Sequence, residues 1–194
     1  SSKASAAIAT YPLLSVERMV QAARDAAANG ASCFSIVTSG RALGRREVAV
    51  VAEALERIAR ELPIRPSASL GLLDAEAVAR LSDAGLRRLH HNLEAAESFF
   101  PSICSTREWS ASLDALHRAK DAGLQTCCGG IFGMGETPKQ RVELLAAIRD
   151  ADPESVPINF LNPVPGTRLG GLPAMPALEA LKIVAVARLM MPDK

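Results

Sequence analysis

Residues 90–94, HHNLE, carry two imidazoles, an amide and a carboxylate within five positions. Two adjacent histidines on a strand point to opposite faces and have no third ligand nearby, which argues against a zinc site. Asn92 and Glu94 are two residues apart and would share a face of that strand. An amide beside a carboxylate can hydrogen-bond a ribose diol or a ureido ring. The alternative is that both are surface polar groups that cap the following helix.

The segment TCCGGIFGMGE, residues 126–136, combines two cysteines with four glycines and a terminal acid. It matches neither the P-loop nor the dinucleotide-binding glycine pattern, so phosphate binding is not predicted. Positions without side chains would let a flat ring approach the backbone, with Ile131 packing on the ring. The alternative is that the glycines only form a tight turn and allow close packing. Cys127 taken alone is more often a buried apolar residue than a metal ligand.

Two asparagines belong to a third segment, NFLNPVPGT, residues 159–167. Asn159 is predicted inside a strand and Asn162 at the lip of a proline-rich loop. A lone asparagine in a strand is more often a satisfied structural amide than a substrate ligand. The four cysteines of the chain, at 33, 104, 127 and 128, lack C-x2-C spacing and are predicted to be thiols.

The composition excludes several classes of function. The chain has 194 residues, a formal charge of +1 and 4% aromatic residues, so it offers neither a basic surface nor a stacking platform for nucleic acid. No apolar run approaches the length of a transmembrane helix, and the first residues are unlike a signal peptide. The sequence therefore predicts a cytoplasmic protein with no nucleic-acid or membrane partner.

A repeated unit of helix, glycine and strand must position these groups. The junction is nearly the same at AANG-ASCF, SDAG-LRRL and KDAG-LQTC, with glycine just past each helix. Six helices are predicted: one after Ser15, one over 48–62, one from Asp74, one with a capping box at Ser105 and Glu108, one with a capping box at Thr137 and Gln140, and one over 176–190. Five strands are predicted: CFSIV, PIRPSAS, RRLHHNL, LQTCCGGI and SVPINFL.

Regular alternation of strands and helices predicts an α/β fold with a parallel sheet. A doubly wound sheet and a (β/α)8 barrel both fit, but polar groups follow all five strands, and a barrel collects such groups from many strand ends. We therefore predict a partial (β/α)8 TIM-type barrel with about five parallel strands in sequential order and outer helices. Residues 1–194 are predicted to form one incomplete barrel domain.

Seven stretches, taken in order, resemble the biotin synthase family of radical S-adenosylmethionine (SAM) enzymes. They are ATYPLLSVE, FSIVTSGR, SASLGLL, HHNLE, TCCGGIFGMGE, SVPINFLNPVPGT and AVARLMMP. The resemblance implies a (β/α)8 barrel that inserts sulfur into dethiobiotin. In this family a 4Fe-4S cluster on three cysteines cleaves SAM, the resulting 5′-deoxyadenosyl radical abstracts hydrogen from the substrate, and an auxiliary iron–sulfur cluster supplies sulfur. An electron donor such as flavodoxin or ferredoxin and a homodimeric assembly are further expectations.

The resemblance also implies roles for residues that match the family's SAM site. Thr38 and Ser39 fall where backbone groups hold the methionyl end of SAM. Asn92 and Glu94 match the pair that binds the ribose, and Asn92 also matches a contact to dethiobiotin.

Further matched positions complete the expected site. Ile131 and the backbone at Asn162 match contacts to adenine, and Asn159 matches a second amide that binds the substrate. Cys127 matches one ligand of the auxiliary cluster. No residue of the chain matches a position that carries out the chemistry itself.

The chain departs from the family pattern at several of these positions. Cysteines that ligate the auxiliary cluster in the family's commonest form correspond to Ser35 and Ser67, and a serine oxygen is a poor replacement for a thiolate on iron. An arginine that pairs with the SAM carboxylate in some members is Ser112 here, with Arg107 the nearest guanidinium. Ser35, Ser67 and Cys127 are predicted to face inward from three neighbouring strands, with β-carbons about 5 to 8 Å apart.

The family's C-x3-C-x2-C segment would end just before Ser1, and no such spacing occurs in the chain. The SAM cluster is therefore expected to have its ligands outside this chain, and the chain alone is expected to be inactive. Two alternatives to sulfur insertion remain open: a related radical SAM enzyme with another substrate and no sulfur transfer, and a barrel segment without catalysis.

Overall fold

The computed structural model describes residues 11–194. The described chain contains seven helices and six strands. In chain order these are α1 Val16–Ala28, β1 Cys33–Val37, α2 Arg45–Glu61, β2 Arg65–Ser69, α3 Ala75–Asp83, β3 Arg88–His90, α4 Phe100–Ile103, α5 Ser110–Asp121, β4 Gln125–Cys127, β5 Gly130–Phe132, α6 Pro138–Ala151, β6 Ile158–Phe160 and α7 Ala177–Met190.

These elements divide into two compact units. The four-stranded unit comprises Pro12–His91 and Ser110–Cys127, and the two-stranded unit comprises Tyr11, Asn92–Trp109 and Cys128–Lys194. The first contains a parallel sheet in the order β1-β2-β3-β4. The second contains the parallel pair β5-β6. The prediction of parallel strands in sequential order is confirmed for β1 to β4, and this order differs from that of a doubly wound sheet.

The two faces of the four-stranded sheet have opposite characters because side chains alternate along each strand. One row across the sheet is almost completely buried; its members are Ile36, Ala68, Leu89 and Thr126. The three apolar members belong to the core formed with α1, α2 and α3. The neighbouring row lies on the other face and is polar; its members are Ser35, Ser67, Arg88 and Gln125. The sheet therefore presents a polar face opposite the helices.

Local side-chain bonds fix where the helices begin. Ser15 accepts a hydrogen bond from the N–H of Arg18 at 3.4 Å, and Asp74 accepts one from Ala77 at 2.8 Å. These bonds satisfy N–H groups that have no partner within the first turn. The predicted starts of the first and third helices are confirmed.

The predicted fourth strand is wrong as a single element. LQTCCGGI forms β4 and β5, and the break lies at Cys128 and Gly129. The N–H of Cys128 donates to the Ser155 carbonyl at 3.0 Å, while the Gly129 carbonyl accepts from Leu93. The chain changes its pairing partner at this point, and the alternation of residues alone does not reveal such a change.

The predicted capping box at Ser105 and Glu108 is also wrong, because α5 begins at Ser110. Two side chains hold the preceding segment in a non-helical conformation. The Arg107 guanidinium lies 5.1 Å from the centre of the Phe100 ring, and the Trp109 indole N–H donates to the Ala95 carbonyl at 2.9 Å. The short helix α4 was not predicted. No helix within residues 11–194 is long and apolar enough to cross a membrane.

The capping box at the start of α6 gives a stability prediction. Thr137 Oγ1 accepts from the Gln140 N–H at 3.3 Å, and Gln140 Oε1 accepts from the Thr137 N–H at 2.9 Å, as predicted. We expect Thr137→Ala to lower the free energy of unfolding of the full-length protein by about 1 kcal/mol in urea titrations. Ser105→Ala is the matched control, because Ser105 caps no helix, and should change it by less than about 0.5 kcal/mol. Equal effects of the two variants would contradict the assignment.

Candidate functional site

Asn92 and Glu94 lie where the chain leaves β3 and enters the two-stranded unit. Asn92 Oδ1 accepts from the Gly129 N–H at 3.0 Å, and Asn92 Nδ2 donates to Glu94 Oε2 at 3.4 Å. Glu94 has a positive φ of 68° and pairs with Gly130 in an isolated parallel bridge. The two side chains are therefore directly bonded to each other, and they do not cap a helix in the manner of the alternative interpretation.

Burial sets the charge properties of Glu94. The side chain is half-buried, and desolvation raises the pKa of its carboxyl group above the ordinary value. The hydrogen bond from Asn92 and the charge of Arg107 act in the opposite direction and only partly offset the desolvation. Within the described residues its carboxylate has one hydrogen-bond donor, the Asn92 amide. A carboxylate can accept several hydrogen bonds, so Glu94 retains capacity for a ligand that donates.

Gly129 and Gly130 are required by the protein's own backbone. A Cβ at Gly129 would overlap the carbonyl oxygen of Pro157, and a Cβ at Gly130 would lie 2.9 Å from the Glu94 carbonyl oxygen and 2.7 Å from Leu144 Cδ2. The close-packing alternative is therefore correct for these two positions, and the expectation that they admit a flat ligand ring is wrong for them.

The loop that follows β5 is closed by an acidic side chain. Glu136 accepts hydrogen bonds from the N–H groups of Gly133, at 2.9 Å, and Met134, at 2.8 Å. Arg141 Nε donates to the same carboxylate at 2.8 Å, and the Glu136 side chain is only 6% exposed. Gly133 and Gly135 have φ values of 91° and 105°, a region that favours glycine. Glu136 was not singled out from the sequence, although an acid three residues after a glycine that needs positive φ is a recognisable signal.

Ile131 and Asn159 are partners in the β5-β6 register and share a face of that pair. The flanking partners Phe132 and Phe160 lie on the other face, with ring centres 6.3 Å apart, and Phe132 is fully buried. Ile131 is half-buried and Asn159 is exposed, with Nδ2 donating to the Gly130 carbonyl at 3.4 Å. The structure thus brings the two predicted ligand residues side by side on the more open face.

The remaining predicted SAM residues are at the ends of strands. Asn162 is exposed and follows β6 by two residues. Thr38 follows β1 directly, is half-buried, and its N–H donates to the Ser69 carbonyl at 3.0 Å. Ser39 is exposed. The proposed contacts of these residues to SAM stay predictions.

The serine positions face away from the helices, as predicted, but the prediction that Ser35, Ser67 and Cys127 come from three neighbouring strands is wrong for Cys127. Ser35 and Ser67 are register partners on adjacent strands, whereas Cys127 pairs with His90 and lies on β4, with β3 between it and β2. Ser67 and Cys127 are therefore not on neighbouring strands. Cys128 is completely buried.

The donors on this face do not fit an iron–sulfur cluster. The row that contains Ser35 and Ser67 continues with a guanidinium and an amide. The thiols on this face of the sheet are Cys33, at the start of β1, and Cys127, at the end of β4, with two strands between them. Clusters are held by soft thiolates. No group of three or more His, Cys, Asp or Glu side chains in the described part of the chain could hold a metal ion. The metal role of Cys127 stays a prediction.

Comparison with known proteins gives the relationships of the chain. A radical SAM superfamily profile matches residues 4–148, and the profile of a biotin and thiamin synthesis associated domain matches residues 157–194. The chain is 49% identical over 185 residues to biotin synthase of Geobacter sulfurreducens and 50% identical over 185 residues to that of Syntrophotalea carbinolica. These alignments cover 95% of this chain but 56% and 57% of the relatives, so the chain spans little more than half of their length.

Solved structures share the fold. HydG, the FeFe-hydrogenase maturase of Carboxydothermus hydrogenoformans, superposes with a TM-score of 0.81 at 20% identity, over 95% of this chain and 46% of that one. Methylornithine synthase (PylB) gives 0.70 at 18% identity, over 92% of this chain and 69% of that one. Together with the parallel strands, these neighbours confirm the α/β fold class and the partial (β/α)8 TIM-type barrel.

The contact at Gly129 predicts a severe effect of one methyl group. Because the added Cβ would meet a backbone oxygen that cannot rotate away, we expect Gly129→Ala to lower the free energy of unfolding of the full-length protein by about 3 kcal/mol or more in urea titrations. Gly171→Ala is the matched control, since a Cβ there has no atom within 4 Å. A Gly129→Ala protein as stable as the control variant would refute the close approach.

The raised pKa of Glu94 predicts a pH-dependent stability. A carboxyl group whose pKa is higher in the folded than in the unfolded state favours folding at low pH, and this contribution disappears as pH rises through the folded pKa. The stability of wild-type full-length protein relative to Glu94→Gln should therefore fall as pH rises from about 4 towards neutrality. Urea titrations across this range measure it. A difference between wild type and Glu94→Gln that does not change with pH would contradict the shift.

Proposed function

The chain belongs to the radical SAM superfamily, and we propose that the whole protein to which it contributes is a sulfurtransferase that inserts sulfur into dethiobiotin, the biotin synthase reaction. The observation that carries the proposal is 49% to 50% identity to two biotin synthases along 95% of the chain. Membership of the superfamily implies that the protein uses SAM and an iron–sulfur cluster. A 4Fe-4S cluster, whose cysteines we place outside this chain, would supply the electron that cleaves SAM.

The half-buried carboxylate of Glu94 fits the ribose of SAM. It has unused acceptor capacity within the described residues, and a diol offers two hydroxyl donors. Asn92 orients this carboxylate through Nδ2, while its own Oδ1 is fixed by the Gly129 N–H. The pair is therefore held in place before any ligand arrives, which lowers the ordering cost of binding.

The amides of Asn92 and Asn159 complement a ureido ring. Asn92 Oδ1 is occupied by the Gly129 N–H, but one of the two Nδ2 hydrogens remains to donate to a ureido carbonyl. Asn159 uses Nδ2 for the Gly130 carbonyl, and its Oδ1 remains to accept from a ureido N–H. We assign Ile131 to the adenine of SAM, together with the backbone at Asn162, because it presents an apolar side chain beside Asn159 on the same face of β5 and β6.

A related radical SAM enzyme with another substrate and no sulfur transfer is the second candidate. The side chains in register with Ser35 and Ser67 favour this second candidate. They are poor ligands for the auxiliary iron–sulfur cluster that would supply the sulfur. The type of auxiliary cluster, an electron donor such as flavodoxin or ferredoxin, and a homodimeric assembly stay predictions.

Product analysis separates the two candidates. The full-length protein, reconstituted without oxygen and supplied with SAM, a reductant and dethiobiotin, should form 5′-deoxyadenosine and biotin, both quantified by mass spectrometry. Formation of 5′-deoxyadenosine without any sulfur-containing product would overturn sulfur insertion and favour the second candidate. Absence of both products, together with no calorimetric binding of SAM, would favour a protein without catalysis.

The ribose assignment predicts a loss of SAM affinity in Glu94→Ala. Removal of a hydrogen-bonded carboxylate should weaken SAM binding to the full-length protein by about 1 to 3 kcal/mol, or roughly 5- to 150-fold, measured by isothermal titration calorimetry. Glu97→Ala removes the same group from an exposed position three residues away and should bind SAM as the wild type does. An unchanged affinity in Glu94→Ala would refute the role.

A further inference from the structure

Arg88 lies in the polar row of the four-stranded sheet. The row runs in register from Ser35 on β1 through Ser67 on β2 and Arg88 on β3 to Gln125 on β4. Because the adjacent row, with Ala68 and Leu89, is buried in the helical core, Arg88 projects from the face opposite the helices. Neither the fold nor the proposed SAM contacts assign a role to this guanidinium.

The charge of Arg88 is not neutralised within the described residues. Its Nη2 donates to Gln125 Oε1 at 3.1 Å, and its Nε–H is buried without any hydrogen-bond acceptor. No carboxylate of the described chain forms an ion pair with it. The half-buried Arg141, in contrast, forms an ion pair with Glu136. An unpaired donor on a desolvated cation costs free energy, and such a group calls for a physical explanation.

The neighbours of Arg88 fit an oxyanion. Ser67 is 5% exposed, and its hydroxyl makes no hydrogen bond within the described residues. A hydroxyl donor next to a guanidinium with a free N–H is a donor set that matches a carboxylate, whereas the same groups are poor ligands for iron.

We propose that Arg88, with Ser67 beside it, anchors a carboxylate-binding site on the polar face of the four-stranded sheet, and that it determines the acceptance of acidic substrates. The ligand assignment rests on the proposed function, since dethiobiotin and SAM each carry a carboxylate. The site itself rests on the uncompensated guanidinium and its register neighbours.

Calorimetric binding to the full-length protein tests the site. Dethiobiotin and its uncharged methyl ester are compared for wild type, Arg88→Gln and the control Arg87→Gln, which changes an exposed arginine one residue away. If dethiobiotin is the ligand, Arg88→Gln should bind the acid about 10- to 100-fold more weakly and no better than the ester, with ester binding unchanged. If SAM is the source of the carboxylate, the same loss should appear for SAM while dethiobiotin binding is unchanged. Arg87→Gln should match the wild type in every titration.

Stability without ligand gives an independent measurement. Replacing an uncompensated guanidinium by an apolar side chain of similar length should leave the protein as stable or more stable, so Arg88→Met should unfold at the same or a higher urea concentration than wild type. A lower midpoint would show that Arg88 has a structural partner and would overturn the proposal. Three results for Arg88→Gln would also overturn the proposal. They are equal losses of affinity for dethiobiotin and its methyl ester, unchanged affinity for both dethiobiotin and SAM, and a lower iron content.

Failure of the proposed function can be told apart from failure of this site. If wild type binds neither SAM nor dethiobiotin, the proposed function fails and hexanoate becomes the probe. A rise in the thermal midpoint with hexanoate but not with hexanamide, present in wild type and Arg87→Gln and absent in Arg88→Gln, would support the carboxylate site. No rise in wild type would overturn it.

Discussion

The close approach of three backbone segments at Gly129 and Gly130 is the constraint on which the candidate site depends. The Gly129 carbonyl accepts from Leu93 on one side, while the Pro157 carbonyl occupies the space where a side chain would project. One residue on, the Gly130 Cα lies against the Glu94 carbonyl, and Ile131 donates its N–H to that same carbonyl at 2.8 Å. A side chain at either position would prevent these segments from approaching so closely.

The orientations of the side chains in the candidate site follow from this contact. Asn92 is oriented because its amide oxygen is bonded to the Gly129 N–H, and Glu94 is oriented because Asn92 donates to it. The positive φ of Glu94 is tolerated because the bridge to Gly130 and the bond from Ile131 hold the backbone on both sides. A carboxylate with spare acceptor capacity is thereby kept half-buried, at the cost of a raised pKa.

Patterns of neighbouring residues predicted much of the fold correctly. The features that they did not predict depend on contacts between residues farther apart in the sequence. The capping box of Thr137 and Gln140 was correct because all of its bonds form within four residues. The similar pattern at Ser105 failed because contacts of Arg107 and Trp109 with more distant residues override the local preference. The amide and acid at Asn92 and Glu94 could be singled out from their types and spacing. The polar row of Arg88 could not, because register across four strands depends on contacts between residues far apart in sequence.

The carboxylate of Glu136 ties the loop after β5 to two of its own N–H groups and to Arg141. A loop fastened in this way has given up its conformational entropy during folding. If a ligand packs on Ile131, as proposed, it meets a surface that is already rigid, and its affinity is not reduced by the ordering of that loop. Any change that loosens Glu136 transfers this entropic cost from folding to binding, so that ligand affinity would decline even though no atom in contact with the ligand had been altered.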